Sequence, residues 1–406
     1  MSRKKFLDSQ LNVFLNTFPL TVSKTGIGYC VHNLFQQLQN YPEISIIPTH
    51  QFEEDALGQS RGASMSEKVL NFLKKTLKNH YPTKLMARLI KIYEGSRKNI
   101  NPRKIYEALR SGKPCIYHET SHMFLEDFED FIGKIKIVSD IHDLSFLLYP
   151  QWHTQQLVAE TGKAIKRIIQ SDIIITKSQF IKNEVVKNLN FDPNKIKVVP
   201  NAAGADYYPL APDDLKTARR QLIPIIGEKP FILYVGTVEP RKNINLLLDA
   251  FKTIKNETDA NVVIAGRFGW QYTAILEHPQ KIGIEDRVIF LQYVSQTMLL
   301  NLYNTCEFMV YPSLYEGFGM PPLEAMHCGA TVVVSNASSI PEVVGEAGLY
   351  FSPNSAEELA EQIKTIVHNP EIKADFKKRA VARAGMFSWQ QSAQKTVEIY
   401  KNIIST

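Results

Sequence analysis

The sequence predicts a two-domain α/β protein with a parallel sheet in each domain, and three observations predict it. Short apolar, β-branched runs alternate with helical stretches; the alternation pauses at a Pro- and Asp-bearing connector over 209–214 and then restarts; and 406 residues exceed what one ordinary core serves. Hydrophobic residues make up 44% and charged residues 22%, values ordinary for folded globular chains, so neither a disordered chain nor a fibrous repeat fits.

Taken in order, the strand candidates of the first half are 11–15, 44–48, 114–117, 135–139, 172–176 and 196–199. Those of the second are 231–235, 261–265, 288–291, 307–311 and 331–335. No residue-level repeat links the halves, so they read as two similar folds and not as a duplication. Helical periods over 356–367, 372–384 and 388–403 close the chain with little sheet left to cover. The stretch 51–110 breaks the first alternation with helix-forming sequence and reads as an insertion, either a structural lid or a segment that shapes substrate choice. The expected organisation is a first domain over 1–208 carrying that insertion, a second over 209–385 and a terminal helix over 386–406.

Charge and cysteine content narrow the function classes. A net charge of +6 with acids and bases interleaved does not imply nucleic acid binding. The basic excess gathers in 68–110, with Lys74, Lys75, Lys78, Arg88, Arg97 and Lys98 among few acids; it reads as a solvated helical face or as a contact for an anionic lipid surface. The cysteines, Cys30, Cys115, Cys306 and Cys328, form no Cys-x-x-Cys pair and have no histidine cluster nearby, which argues against a zinc site and for a reducing compartment. No window approaches the ~20 apolar residues of a membrane span, so the expectation is a cytoplasmic protein, peripheral to the membrane at most.

The chemistry concentrates in two strings. EGFGMPPLE, residues 316–324, follows an apolar strand and opens a helix. Gly317 and Gly319 allow close backbone approach, and Pro321 and Pro322 suit a first helical turn, where missing N–H groups cost little. A helix start there turns unpaired N–H groups and a positive dipole end toward the strand ends, which favours phosphate. Glu316 and Glu324 beside it are suited to sugar or ribose hydroxyls, to which carboxylates are strong acceptors. VGTVEPRKN, residues 235–243, places Arg241 and Lys242 between a strand and a helix, an unfavourable place for cations unless they reach an external anion.

These strings resemble the retaining glycosyltransferases of family four, also called glycosyl transferases group 1, and the similarity runs over most of the chain. The resemblance implies the GT-B fold: two Rossmann-like domains facing across a deep cleft, with the C-terminal helix crossing back to the first. It implies that Glu316 contacts the donor sugar, that Glu324 binds the ribose hydroxyls and that Arg241 and Lys242 hold the diphosphate. Gly317 and the backbone N–H groups of Phe318, Gly319 and Met320 would meet sugar hydroxyls and phosphate, with Gly236 and Thr237 opening the basic turn. The sequence departs from the family at Pro321, which has no N–H, and at Thr237, where some relatives place a phosphate-binding arginine.

SDIHDLSF, 139–146, resembles the family's strand-end His-Asp segment and maps its functional histidine onto His142, while Asp143 holds a loop or orients the histidine. TGIGY, 25–29, resembles the Gly-rich turn after the first strand and brings Gly28 toward the diphosphate, although glycines mark many turns. The segment 198–206 resembles the interdomain hinge, and 291–295 the loop that touches the base through Val294.

The implied activity is metal-independent, retaining transfer of a hexose from a GDP- or UDP-sugar to a saccharide or lipid-linked saccharide acceptor in polysaccharide biosynthesis, with no cofactor. The absence of an Asp-x-Asp pair from the sequence agrees with fixed cations in place of a metal. A nucleotide-sugar epimerase and a non-catalytic nucleotide-sugar-binding component of an assembly complex are the alternatives.

Overall fold

Strands β1 (Leu11–Leu15) and β2 (Ile44–Pro48) have the bounds the sequence predicts, as do β7 (Phe231–Val235), β8 (Asn261–Ala265) and β9 (Val288–Leu291). The others, β3 (Cys115–Glu119), β4 (Lys136–Ile141), β5 (Ile173–Thr176), β6 (Ile196–Val198), β10 (Phe308–Tyr311) and β11 (Val332–Ser335), end within a few residues of expectation. A further strand, β12 (Gly348–Phe351), has no counterpart in the sequence reading. The structure is a computed structural model that describes residues 11–21, 26–50, 107, 109–110, 112–121 and 132–405. The expected insertion and its basic stretch lie outside the described residues except at 107, 109 and 110, and Thr25 also lies outside them.

The chain divides into two compact units, Met1–Val138 with Ile404–Thr406, and Ser139–Ile403. The strand orders of the two sheets are β2-β1-β3-β4-β5-β6 and β12-β11-β10-β7-β8-β9. In the first, β1 pairs in parallel with β2 and β3, and β5 with β6. In the second, every neighbouring pair is parallel. From β7 the chain winds outward through β8 to β9, then returns to the other side of β7 and winds outward through β10, β11 and β12. The winding reverses between β7 and β10, and a crevice opens at such a reversal beyond the carboxyl ends of the strands.

Burial of both sheet faces explains why these strands are apolar throughout: every residue of β7, β8, β10 and β11 is buried. The helix Ile244–Ile254 covers the sheet with Ile244, Leu247, Leu248, Phe251 and Ile254. In the first unit, residues 26–29 do not form a turn but open the helix Gly26–Leu38, with Gly28 buried. Its apolar stripe of Cys30, Val31, Leu34, Phe35 and Leu38 is buried, and that burial outweighs the low helix propensity of two glycines. The four cysteines are buried and form no disulfide.

Candidate functional site

Both motifs leave the second sheet at its carboxyl edge, on the two strands that flank the reversal. After β7 the chain passes Gly236, whose φ of +151° suits glycine and whose N–H donates to Ala265 O at 3.0 Å. A 3₁₀ turn, Pro240–Lys242, follows, with Asn243 left-handed at φ 56°. Asn243 Nδ2 donates to Pro312 O at 3.2 Å and to Pro353 O at 2.8 Å, which ties the basic turn to the loop beyond β10.

That loop is strapped in turn by serines that follow β11. Ser338 Oγ accepts the Glu316 N–H at 2.8 Å, and Ser339 Oγ lies 2.8 Å from Glu316 O and 2.9 Å from Phe318 O. Gly319, at φ +115°, starts the helix Met320–His327 with Pro321 and Pro322 in its first turn, as the sequence suggests. Phe318 turns its ring into the interior against Phe387. Gly317 lies so close to the end of β4 that a Cβ on it would come 1.8 Å from His142 O.

The strings converge on one carboxylate. Glu316 Oε1 accepts from Lys242 Nζ at 2.5 Å, from Ser313 Oγ at 2.5 Å and from Tyr311 OH at 2.9 Å, while Oε2 lies 3.3 Å from Arg241 Nη1. Arg241 also donates to Tyr315 O at 2.8 Å and pairs with Glu239 Oε1 at 2.8 Å through Nη2. Lys242 Nζ donates to Tyr311 OH at 3.0 Å. The cations that the sequence offers to an external anion are thus already matched by Glu316 and Glu239. Residues 75 positions apart carry no periodic signal of such a pairing, although Glu239, two residues before Arg241, lay in plain view.

Burial alone would raise the Glu316 carboxyl, but the Lys242 and Arg241 charges and the bonds from Lys242 and Ser313 outweigh it and hold the group at about 2. Burial, then the Arg241 charge, pushes Lys242 down, and burial raises Glu239. Arg241 is raised: the Glu316, Asp143 and Glu239 carboxylates overcome the burial penalty.

Glu324 sits inside the helix that Gly319 begins, buried, with Tyr303 OH donating to it at 2.9 Å. Burial pushes its carboxyl up to about 7, against the lowering effect of Tyr303 and Tyr207. A folded value above the unfolded one means the native state holds its proton longer, so this contribution is complete below about 4.5 and is lost as pH rises through 7. Glu324→Gln, which cannot ionise, is therefore expected to gain melting temperature relative to the parent on going from pH 5 to pH 8. Thermal melts at both values check this, and a difference independent of pH would contradict it.

His142, half-buried, follows β4 directly, and its carbonyl is the atom that Gly317 meets. Asp143 Oδ1 accepts from Ser145 N at 2.9 Å and from Ser145 Oγ at 2.8 Å. Thr237 O accepts from Tyr234 OH at 3.3 Å. Val294 is half-buried in the loop between β9 and the helix Gln296–Thr305, whose cap Ser295 accepts from Met298 N at 3.2 Å. Gly28 belongs to the other compact unit. The sequence reading did not anticipate Glu239, Tyr311, Ser313, Ser338 or Ser339. Among the described residues no three His, Cys, Asp or Glu side chains group as metal ligands, and no helix is long and apolar enough to cross a membrane.

Residues 216–383 match the model of the family described as Glycosyl transferases group 1. An O-antigen chain mannosyltransferase B of Escherichia coli is 29% identical over 402 residues, 96% of this chain and 100% of that protein. A serotype-specific mannosyltransferase, WbdA, also of Escherichia coli, is 30% identical over 243 residues, which are 58% of this chain but 29% of that longer protein. The crystal structure of Anabaena HepE in complex with UDP-glucose superposes with a TM-score of 0.69 at 19% identity, covering 97% of this chain and 99% of that one. That likeness shows the GT-B fold.

Proposed function

We propose, since the chain belongs to the glycosyl transferases group 1 family and is a glycosyltransferase, that it moves a hexose from a GDP- or UDP-sugar to a saccharide or lipid-linked saccharide acceptor during polysaccharide synthesis. The observation that carries this reading is the Glu316–Lys242–Arg241 network at the reversal between β7 and β10, one turn ahead of the helix that Gly319 begins. Mannose is the first sugar to test, because two Escherichia coli relatives are named mannosyltransferases.

In this reading Arg241, Lys242 and the helix start face the donor diphosphate and oppose the negative charge that grows as the bond to the anomeric carbon breaks. Glu316 and Glu239 balance the two cations before the donor arrives, so the diphosphate shares Arg241 and Lys242 with Glu316 and does not meet bare charges. Glu316 holds the sugar end, Glu324 the ribose, His142 the sugar or the leaving group, and Val294 the base. Gly317, Phe318, Gly319, Met320, Gly236 and Thr237 line the donor. The acceptor oxygen bonds the anomeric carbon from the face the phosphate leaves, and the acceptor proton passes to the departing phosphate, so configuration is retained. Fixed cations take the place of a metal. The domain limits 1–208, 209–385 and 386–406 belong to the same reading, as does a contact between the basic stretch 68–110 and the anionic inner face of the membrane.

Incubation of the protein with labelled GDP-mannose and a panel of UDP-hexoses, in the presence of EDTA and of mannoside acceptors, tests it. The reading requires an α-linked product from an α-linked donor and a rate unaffected by the chelator. Release of a free epimer, donor binding without turnover, or loss of activity with EDTA would each overturn its corresponding part.

A further inference from the structure

Beside Arg241 stands a histidine that neither motif contains. His153 follows the short turn Pro150–Trp152, and its Nε2 lies 3.0 Å from Ser145 Oγ. The single proton of that hydroxyl is donated to Asp143 Oδ1 at 2.8 Å. Asp143 is ionised: burial alone would raise it, but the Arg241 charge and the Ser145 bonds hold it below the usual carboxylate range. With its proton committed, Ser145 Oγ can only accept from the imidazole, so Nε2 carries the ring proton and neutral His153 presents a lone pair at Nδ1. Burial lowers the tendency of this ring to protonate; Asp143 and Arg241, the charged groups that face it, act in opposite directions.

His153 Nδ1 is buried and has no hydrogen-bond partner among the described residues. Leaving a buried acceptor unpaired costs about 1–3 kcal/mol, so a donor supplied there is favoured. A run of aromatic contacts leads away from the imidazole. Trp270 lies 5.5 Å from the imidazole at 41°, and its indole N–H donates to Trp152 O. Trp152 stacks on Tyr149 at 4.3 Å and 19°. Tyr149 meets Tyr315 at 5.5 Å, and Tyr315 O is the atom that takes Arg241 Nη1.

A half-buried indole beside the imidazole, with a stacked Tyr149–Trp152 pair just before it in the chain, complements a pyranose, which has an apolar C–H face and hydroxyl donors at its rim. We propose that His153, Trp270 and the Tyr149–Trp152 pair form a subsite for the acceptor saccharide, in which His153 Nδ1 accepts a hydrogen bond from a ring hydroxyl. The inference rests on the transferase reading for the word acceptor. In that reading Glu316 and Arg241 are occupied by the donor, and the rings beyond Tyr315 are left for the second sugar.

The test combines NMR of ¹⁵N-histidine-labelled full-length protein with titration of methyl α-D-mannopyranoside, alone and with UDP or GDP. His153 should show the Nε2–H tautomer, and the glycoside should move its Nδ1 signal. His153→Gln keeps an N–H for Ser145 but loses the acceptor at Nδ1. It should weaken the glycoside and raise the acceptor KM about tenfold, the size of one lost hydrogen bond, with kcat, nucleoside diphosphate affinity and melting temperature nearly unchanged. Parent affinity for the glycoside should fall in acid, below the ordinary imidazole range, because protonation turns Nδ1 into a donor, and His153→Gln should lack that limb.

An Nδ1–H tautomer, no response of the parent protein to the glycoside, or equal glycoside affinity in His153→Gln would overturn the subsite. Failure to bind either nucleoside diphosphate, with the His153-dependent glycoside response intact, would keep the subsite and remove the transferase reading instead.

Discussion

Glu316→Ala is expected to lower the melting temperature by about 10 °C and to abolish transfer. The side chain joins the two motifs: Lys242, Ser313 and Tyr311 all bond to one of its oxygens and Arg241 pairs with the other. Removing it leaves Arg241 with Glu239 but strips Lys242, itself buried, of its carboxylate partner. Breaking a buried pair from one side costs about 3–5 kcal/mol, because the remaining charge stays in a medium that solvates it poorly. At roughly 2–4 °C per kcal/mol for a unit of this size, the expected shift follows. Glu316→Gln retains an acceptor oxygen for the hydroxyls and should fall between the two. Differential scanning calorimetry of the three proteins decides; parent-like melting of Glu316→Ala would mean that the network carries little stability.

A methyl group at Gly317 should be nearly as damaging to activity, by geometry alone. Its Cβ would come 1.8 Å from His142 O and 2.8 Å from the carbonyl carbon, both main-chain atoms that no rotamer change can clear. The loop that carries Glu316 would have to move by more than an ångström from the end of β4, with loss of the bond from Ser178 Oγ to Gly317 O at 2.9 Å. Overpacking of this kind costs about 1–3 kcal/mol, and a displacement of about 1 Å at a reacting centre can cost on the order of 10²-fold in rate. Gly317→Ala is therefore expected to retain its fold by circular dichroism and to lose about a hundredfold in kcat/KM. Parent-like kinetics would show that the Glu316 loop does not need to approach His142 so closely.

Legibility in the sequence followed from how each element is stabilised. Runs such as FILYV in β7 and NVVIA in β8 are continuous and wholly buried, so composition alone located their ends. The edge strand GLYF of β12 begins with glycine, contains no β-branched residue and owes its existence to pairing with β11, a partner that local pattern cannot reveal. Gly26 and Gly28 suggested a turn because propensity is local, whereas the buried stripe from Cys30 to Leu38 that makes the segment helical extends beyond them.

The candidate site divided along the same line. Motif residues on strand ends were visible as strings, and the reversal between β7 and β10 brings Arg241, Lys242 and Glu316 together. The serines at 338 and 339 were invisible because their hydroxyls act on main-chain atoms more than twenty positions away. His153 was missed for a related reason: its role depends on where the proton of Ser145 goes, a matter of geometry and not of spacing.

In the proposed reading Lys242 and Arg241 hold the donor diphosphate where the sheet reverses. Calorimetric titration of UDP and GDP into the parent protein and Lys242→Met, which preserves length and removes charge, measures it most directly. The expected result is at least about a tenfold loss of affinity for the preferred nucleotide and a shallower dependence on salt, since a charge-assisted bond is worth about 1.5–3 kcal/mol. Equal affinity and an equal salt dependence in the two proteins would place the diphosphate elsewhere and contradict it.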